Sequence, residues 1–321
     1  MTPFGTAATG ETVHAITISG GALTATVLTW GAILQDLRHA RLDRSLTLGS
    51  DRLSDYEGDM VHHGALIGPV ANRISTGRVR IGGMMYELER NQDGRIHLHS
   101  GSQATHRRLW QVEDHGPSHV TLSCALPDGI CGLPGNRRIT ATWRVQDETL
   151  SLDITGTTDA TTLMNCANHS FWNMDGTPTW DGHTLWIAAD HYLPTDADVC
   201  PTGEIAPVDG TAMDFRTARR IDPARDAFDH NFCLSRGPSP LRDVLKLTGT
   251  SGVAMTVATD QSGLQLFDNR KAARPGRQFY EGLAIEAQAW PDAPNHPDFP
   301  DITVTPGAPY RQQTEFRFDV P

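Results

Sequence analysis

The sequence is poor in cysteine, and no two cysteines form a C-x-x-C pair. Five cysteines are scattered over the 321 residues, at Cys124, Cys131, Cys166, Cys200 and Cys233. The odd number and wide spacing argue against both a disulfide framework and a thiolate zinc site. We therefore expect reduced thiols and a cytoplasmic location.

Long apolar runs and basic clusters are also missing. No run of about 18 apolar residues occurs, and residues 1–20 lack the basic and apolar regions of a signal peptide, so we expect no membrane association and no export. The chain has 27 Lys+Arg against 38 Asp+Glu, a net charge of −11. Because no basic run offers a footprint for a phosphate backbone, we do not expect nucleic acid as a partner.

Helical periodicity is nearly absent, apart from a short turn around Leu53 to Tyr56. Apolar residues instead alternate with polar ones in segments such as 139–145 and 150–154, which is the pattern of half-buried strands. Strands without intervening helices predict an all-β fold, a large antiparallel β-sandwich (supersandwich) with few short helices. No repeat or linker divides the chain, so we expect a single domain over residues 1–321.

Short turn signals separate several of these strands. They are Gly82-Gly83, residues 146–148 and residues 260–263. Two- to four-residue turns of this kind predict β-hairpins at all three places.

Histidine is frequent, with 14 residues, and His97 and His99 form an H-x-H pair. On a strand both rings would lie on one face, as in some metal-binding barrels. Such a site needs further ligands, and the following residues 100–103 (SGSQ) supply no carboxylate. We therefore expect no metal and no cofactor, while a packing or surface role for one of these histidines stays open.

Two other segments combine polar groups in ways that suit a sugar pocket. Residues 165–173 (NCANHSFWN) place His169 among amides, a hydroxyl and aromatic rings, which can cover a pyranose and hold its hydroxyls. Residues 284–288 (AIEAQ) form an apolar strand carrying the single carboxylate Glu286, whose side chain could face a cleft. A structural histidine and a solvent-facing glutamate are the alternative explanations.

Six segments, in order along nearly the whole chain, resemble motifs of the aldose 1-epimerase (galactose mutarotase) family. These segments are residues 68–74 (GPVANRI), 98–101 (LHSG), 168–173 (NHSFWN), 193–194 (LP) together with 201–204 (PTGE), 228–232 (FDHNF) and 285–295 (IEAQAWPDAPN). Each motif is weak alone, but six in the family's order are specific. Departures occur at Ile96, where the family commonly has Asn, at Ser100, where it has Gly, and over residues 104–108.

The resemblance implies a mutarotase that needs no cofactor and acts on a small-molecule aldose. It implies Glu286 as the base at the anomeric hydroxyl and His169 as the acid at the ring oxygen, with the two roles exchanged on ring closure. The other family motifs imply substrate binding, with His99 on the ring-oxygen side. Besides His99, the resemblance implies four substrate-binding residues, Arg73, Asn72, Asp229 and Trp290.

Three other functions would use some of the same residue types. A non-catalytic carbohydrate-binding β-sandwich would use the same lining without an acid–base pair. A hexose-phosphate mutarotase would need a basic cluster, for which Arg107 and Arg108 are the candidates. A glycosidase would need two carboxylates flanking the bond, whereas the acid–base pair that the resemblance implies consists of one carboxylate and one histidine. The preferred aldose and the oligomeric state are not predicted by the sequence.

Overall fold

The computed structural model describes all 321 residues, Met1 to Pro321, and is built almost entirely of β-strands. In chain order the strands are β1 (Thr2–Thr6), β2 (Thr12–Gly20), β3 (Leu23–Leu28), β4 (Leu34–His39), β5 (Leu66–Ile67), β6 (Arg73–Ile74), β7 (Arg78–Ile81), β8 (Met84–Glu87), β9 (His97–Leu98), β10 (Gln111–His115), β11 (His119–Leu126), β12 (Arg137–Gln146), β13 (Thr149–Thr158), β14 (Thr162–Leu163), β15 (Ala167–Asn168), β16 (Phe171–Trp172), β17 (Thr184–Ile187), β18 (His191–Leu193), β19 (Ala206–Pro207), β20 (Arg219–Arg220), β21 (Asp229–Cys233), β22 (Arg242–Thr248), β23 (Ala254–Thr259), β24 (Gly263–Phe267), β25 (Leu283–Gln288), β26 (Thr303–Val304) and β27 (Tyr310–Asp319).

Helices are few and short, as the missing helical periodicity predicts. The one α-helix, α1 (Leu53–Glu57), coincides with the expected turn and buries Leu53 and Tyr56. Five single-turn 3₁₀ segments complete the set, at Ser75–Gly77, Gly101–Gln103, Thr105–Arg107, Ile130–Gly132 and Ala293–Asn295. No helix in the structure is long and apolar enough to cross a membrane.

Three antiparallel sheets form the body of the fold. A four-stranded meander has the order β1-β2-β3-β4, and a nine-stranded sheet has the order β10-β11-β12-β13-β27-β23-β22-β17-β20. A six-stranded sheet has the order β16-β25-β24-β21-β18-β19. Four two-stranded pairs, β14-β26, β15-β5, β6-β9 and β7-β8, lie outside these sheets.

One apolar layer joins the three sheets. The largest hydrophobic cluster contains 47 buried residues, among them Val27 of the meander, Trp143 and Phe316 of the nine-stranded sheet, and Leu266 and Ile285 of the six-stranded sheet. Strand alternation sends every second side chain of these strands into the layer. The prediction of an all-β antiparallel supersandwich is confirmed.

The six-stranded sheet places polar side chains on the face opposite this layer. β25 pairs with β24 so that Glu286 lies opposite Gln265, and β24 pairs with β21 so that Gln265 lies opposite Asn231. The next row on the same face contains Ala284, Phe267 and Asp229. Both faces of β25 are therefore buried, one by the apolar layer and the other by a polar cleft.

Two of the three predicted hairpins are confirmed. Gly82-Gly83 joins β7 to β8, and residues 146–148 join β12 to β13. The hairpin at residues 260–263 is wrong, because β23 belongs to the nine-stranded sheet and β24 to the six-stranded sheet. At this corner the chain passes from one sheet to the other, and the Thr259 hydroxyl donates a hydrogen bond to the Gln313 carbonyl.

The apolar face of β25 can be tested without touching the cleft. Ile285→Ala removes a buried side chain from the apolar layer, so we expect a loss of about 2–5 kcal/mol in the free energy of unfolding. Met84→Ala also removes three heavy atoms, but from an exposed side chain, and should change stability by at most about 0.5 kcal/mol. Urea unfolding measures both; equal effects would contradict the assignment of Ile285 to the core.

Candidate active site

A cavity of about 210 Å³ opens on the polar face of the six-stranded sheet. It contains six of the seven residues predicted to form the site. The lining residues are Asp59, His62, His63, Asn72, Arg73, Leu98, His99, His169, Phe171, Asp229, Gln265, Phe267, Lys271, Ala272 and Glu286. The cavity is smaller than the roughly 300 Å³ at which pockets for drug-sized ligands begin, so it fits a single small polar molecule.

His169 and Glu286 meet at the buried end of this cavity. His169 directly follows β15, and its backbone is fixed by hydrogen bonds from its N–H to the Ala65 carbonyl and from the Gly64 N–H to its own carbonyl. Its Nε2 lies 3.5 Å from Glu286 Oε1. His169 Nδ1 and Glu286 Oε2 are buried without a hydrogen-bond partner. Because unpaired buried polar atoms are rare and costly, these atoms mark a binding site.

Burial moves the two pKa values in opposite directions. Desolvation, reinforced by the charge of Asp229, raises the pKa of Glu286 well above its ordinary value, while Arg73 opposes this shift. Desolvation lowers the pKa of His169 to about 4. Burial therefore favours the protonated carboxyl group and the neutral imidazole, a form in which the pair carries one proton in all.

Arg73 and Asp229 form a second polar unit on the cavity wall. Arg73 Nη2 lies 3.7 Å from Asp229 Oδ2, and Asp229 Oδ1 accepts a hydrogen bond of 2.9 Å from Gln265 Nε2. Arg73 Nε donates to Gln92 Oε1 at 2.9 Å, and Nη1 reaches Asn72 Oδ1 at 3.4 Å. Burial raises the pKa of Asp229, with Arg73 acting against it. Asp229 is thus a second carboxylate in the cavity, held by an arginine and an amide.

His99 is fixed by the backbone of Asn72. The Asn72 N–H donates to His99 Nδ1 at 3.1 Å, and the His99 N–H donates to the Asn72 carbonyl at 2.7 Å. With Nδ1 accepting, the neutral ring carries its proton on Nε2 and remains a donor for a ligand.

The two histidines of the H-x-H pair do not share one face, because only His97 lies on a strand. β9 ends at Leu98, and His99 has a positive φ of 51°, so the strand alternation stops before the second histidine. His97 instead pairs its Nδ1 with the Glu89 carbonyl at 2.7 Å and does not line the cavity. No group of three or more His, Cys, Asp or Glu side chains in the structure is arranged to hold a metal ion.

The departures from the family motifs have local explanations. The Ser100 hydroxyl donates to the Val70 carbonyl and accepts from the Val70 N–H, at 2.9 and 2.8 Å. It therefore ties the loop after β9 to the segment that carries Asn72 and Arg73. Ile96 is a buried apolar residue, and Gln92 is the amide that holds Arg73.

Trp290 does not line the cavity, so its predicted contact with the substrate is not supported by the geometry. Its indole is buried, donates to the Ser262 carbonyl at 2.8 Å and packs edge-on against Phe299 at 5.1 Å. Ala289 and Trp290 lie beyond the end of β25. The aromatic side chains that line the cavity are Phe171 and Phe267.

The structure adds His62 and His63, which the sequence analysis did not identify. The His62 ring lies 5.5 Å from that of His169 in a stacked arrangement, and 4.7 Å from that of His99. The His63 ring stacks on Phe171 at 4.3 Å. Burial lowers the pKa of both histidines, to about 3 for His63. The part of the cavity around His169 is therefore lined by neutral imidazoles.

Gln265 and Lys271 also line the cavity without having been predicted. Gln265 interrupts the apolar strand GLQLF, and this single amide was a signal that could have been used. Arg107 and Arg108, the candidates for a phosphate site, line a separate groove together with Trp30. Neither arginine faces the cavity that holds His169 and Glu286.

Comparison with known proteins identifies relatives over the whole length of the chain. The family model described as aldose 1-epimerase matches residues 14–317. The chain is 33% identical to galactose mutarotase from Mus musculus, covering 97% of this chain and 95% of the relative. It is 31% identical to aldose 1-epimerase from Escherichia coli, covering 96% of both chains.

Solved structures show the same fold. An aldose epimerase homologue from C. elegans superposes with a TM-score of 0.89 at 29% identity, covering 96% of this chain and all of the other. A galactose 1-epimerase from Lactobacillus acidophilus superposes with a TM-score of 0.84 at 26% identity, covering 99% and 97%.

The buried carboxyl group should destabilise the fold as the pH rises. Folding raises the pKa of Glu286 above its ordinary 4.5. The contribution of this group to the free energy of unfolding is therefore fully present below pH 4.5 and is lost as the pH rises toward the folded pKa. Glu286→Gln cannot ionise and avoids this loss. We expect its Tm to exceed that of the wild type at about pH 7.5 and to approach it at about pH 4. Each kcal/mol of difference in the free energy of unfolding should shift the Tm by about 2 °C.

The control is Glu204→Gln, which replaces an exposed glutamate outside the cavity. Calorimetry across this pH range should give parallel curves for this variant and the wild type. A Glu286→Gln curve that also runs parallel to the wild type would contradict the raised pKa.

Proposed function

Because the chain belongs to the aldose 1-epimerase family, we propose that Glu286 and His169 interconvert the α and β anomers of a free aldose as one acid–base pair. The enzyme is an isomerase, and its reaction is mutarotation. The observation that carries the proposal for these two residues is the 3.5 Å approach of His169 Nε2 to Glu286 Oε1 inside a cavity for one small polar molecule.

Mutarotation requires an acid and a base that lie close together. The anomeric hydroxyl must lose a proton while the ring oxygen gains one, and both oxygens are bonded to C1. Two protein groups that serve these oxygens must therefore converge on one short segment, as His169 and Glu286 do. An acid or base placed in this way contributes about 10²–10⁴-fold to the rate.

The single proton shared by the pair serves both halves of the reaction. Ring opening uses the form of the pair in which the shared proton has moved to His169: the Glu286 carboxylate accepts the proton of the anomeric hydroxyl, and the His169 imidazolium protonates the ring oxygen. The C1–C2 bond of the open aldehyde then rotates. For closure, the Glu286 carboxyl protonates the aldehyde oxygen while neutral His169 accepts the proton of the attacking hydroxyl. Each turnover returns the same one-proton pair, so no proton has to enter or leave.

The remaining side chains hold the groups that do not react. Asn72, Arg73, Asp229 and Gln265 offer donors and acceptors on one wall, and neutral His99 offers its Nε2–H on the ring-oxygen side. The faces of Phe171 and Phe267 supply apolar surface against the sugar ring.

The position of the basic residues speaks against a hexose-phosphate substrate. A phosphate needs a basic cluster, and Arg107 and Arg108 belong to another groove. Five free, buried cysteines favour a reducing cytoplasm as the place where the enzyme works.

Loss of the two proton-handling groups should not be additive. Glu286→Gln and His169→Asn keep approximate shape but remove acid–base function, so each should lower kcat by about 10²–10⁴-fold, and the double variant should lose little more. The measurement is polarimetry or NMR of the approach to anomeric equilibrium from pure α and pure β sugar, corrected for the spontaneous rate. Near wild-type rate constants for Glu286→Gln from both directions would exclude Glu286 as the base.

The pH profile of kcat/KM should be bell-shaped and should respond to Asp229. In acid a second proton binds to the pair, and the pKa of His169 near 4 places this loss at about pH 4. In alkali the last proton leaves Glu286, whose pKa is raised in part by Asp229. Asp229→Asn should therefore move the alkaline limb to lower pH, in addition to raising KM.

Asp301→Asn, an exposed carboxylate outside the cavity, is the control and should leave both limbs in place. An alkaline limb that moves to higher pH in Asp229→Asn would contradict the electrostatic coupling between Asp229 and Glu286.

A further inference from the structure

Lysine is rare in this chain, and one of its lysines lies at the active-site cavity. Lys246 and Lys271 are the only lysines among 27 basic residues. Lys246 is exposed on β22 of the nine-stranded sheet, away from the cavity. Lys271 follows β24 and lines the cavity that contains Glu286 and His169. Its ammonium group has no role in the proton transfers described above.

The segment after β24 is tied down by its arginines. Arg270 Nε donates to Asp268 Oδ1 at 2.9 Å. Arg274 Nε donates to Glu281 Oε2 at 2.9 Å, and its Nη1 donates to the Gly49 carbonyl at 2.6 Å. These contacts lie on both sides of Lys271 and fix the path of the chain around it.

Lys271 is the one cation of this segment without a carboxylate partner. Arg270 pairs with Asp268, and Arg274 and Arg277 pair with Glu281. No ion pair within 4.0 Å involves Lys271, and the exposed Asp59 across the same cavity does not pair with it. An unneutralised positive charge therefore remains at the cavity, available to a ligand.

The sheet register separates this charge from the reacting groups. Glu286 lies in the row with Gln265, and the next row toward the end of β24 contains Ala284 and Phe267. Lys271 comes four residues after Phe267, beyond that second row. Because Glu286, Phe267 and Lys271 line the same cavity, a pyranose with C1 at Glu286 can extend past Phe267 toward Lys271.

We propose that Lys271 is a specificity-determining residue that binds a carboxylate at the end of the sugar remote from C1, so that hexuronates are preferred substrates of this mutarotase. The proposal rests on the proposed function, because it places C1 between Glu286 and His169. One ammonium matches the single charge of a carboxylate, whereas a phosphate ester carries nearly two charges and is usually bound by several cations or an arginine fork.

The test compares a hexuronate with its matching neutral hexose. Mutarotation of D-glucuronate, D-glucose and D-glucose 6-phosphate is followed by NMR for the wild type, Lys271→Met, Lys271→Arg and Lys271→Glu. Lys246→Met is the matched control, since it removes the other lysine. We expect the ratio of kcat/KM for glucuronate over glucose to fall about tenfold in Lys271→Met, as for one charge-assisted hydrogen bond.

The ratio should be retained in Lys271→Arg and Lys246→Met, fall furthest in Lys271→Glu, and shrink with added salt because the charge lies at the solvent-facing end. An unchanged ratio in both Lys271→Met and Lys271→Glu would overturn the proposal, as would a wild-type preference for the 6-phosphate over glucuronate. If the wild type turns over none of these sugars or other free aldoses, the proposed function itself fails. If the enzyme turns over neutral hexoses but the ratio of kcat/KM for glucuronate over glucose does not depend on Lys271, only the proposed role of Lys271 fails.

Discussion

A carboxyl group buried inside a sheet, with no cation bonded to it, is the constraint on which the site depends. Glu286 occupies a strand whose two faces are both covered. Moving an isolated carboxylate into such a place is costly, so the group keeps its proton unless something compensates the charge. The apolar layer behind Ile285 must hold β25 in place against this penalty. The sandwich is thus what allows a strong base to exist in the cleft.

Burial shifts the pKa values of the cavity histidines downward, opposite to its effect on Glu286. Burial lowers the pKa values of His62, His99 and His169, and repulsion from neighbouring imidazoles adds to this shift for His62 and His99. A low pKa makes protonated His169 a strong acid toward the weakly basic ring oxygen. Because the neighbouring imidazoles stay neutral, the proton is exchanged only between His169 and Glu286, which lie 3.5 Å apart. One proton per site is thus a result of desolvation on both partners.

Much of the fold and of the site could be predicted because both depend on local patterns. Period-2 alternation located β12 and β13, and the motif residues Glu286, His169 and Asp229 do converge on one cavity. Trp290 was misplaced because an aromatic ring in a motif can pack behind a cleft as easily as line it. The corner at residues 260–263 has the composition of a hairpin turn, and only the partners of β23 and β24 reveal the change of sheet.

The residues that were missed come from segments that have no motif of their own. His62 and His63 reach His169 through backbone hydrogen bonds of Gly64 and Ala65, a contact between segments about a hundred residues apart. Lys271 lies in a turn whose path is set by the ion pairs of its neighbours. Such contacts depend on tertiary structure, so neither the periodicity nor the composition of the sequence predicts them.

The partner of Arg73 decides whether Glu286 can work in both directions. Arg73 is close enough to lower the pKa of Glu286, yet its guanidinium faces Asp229, Gln92 and Asn72. A direct ion pair between Arg73 and Glu286 would hold the carboxylate ionised, and the group would then be a weak base that accepts the proton of the anomeric hydroxyl only with difficulty. By engaging Arg73, Asp229 leaves the carboxyl group able to take up a proton as well as to release it. Reversible anomer exchange requires both steps, because the base of one half-reaction is the acid of the other.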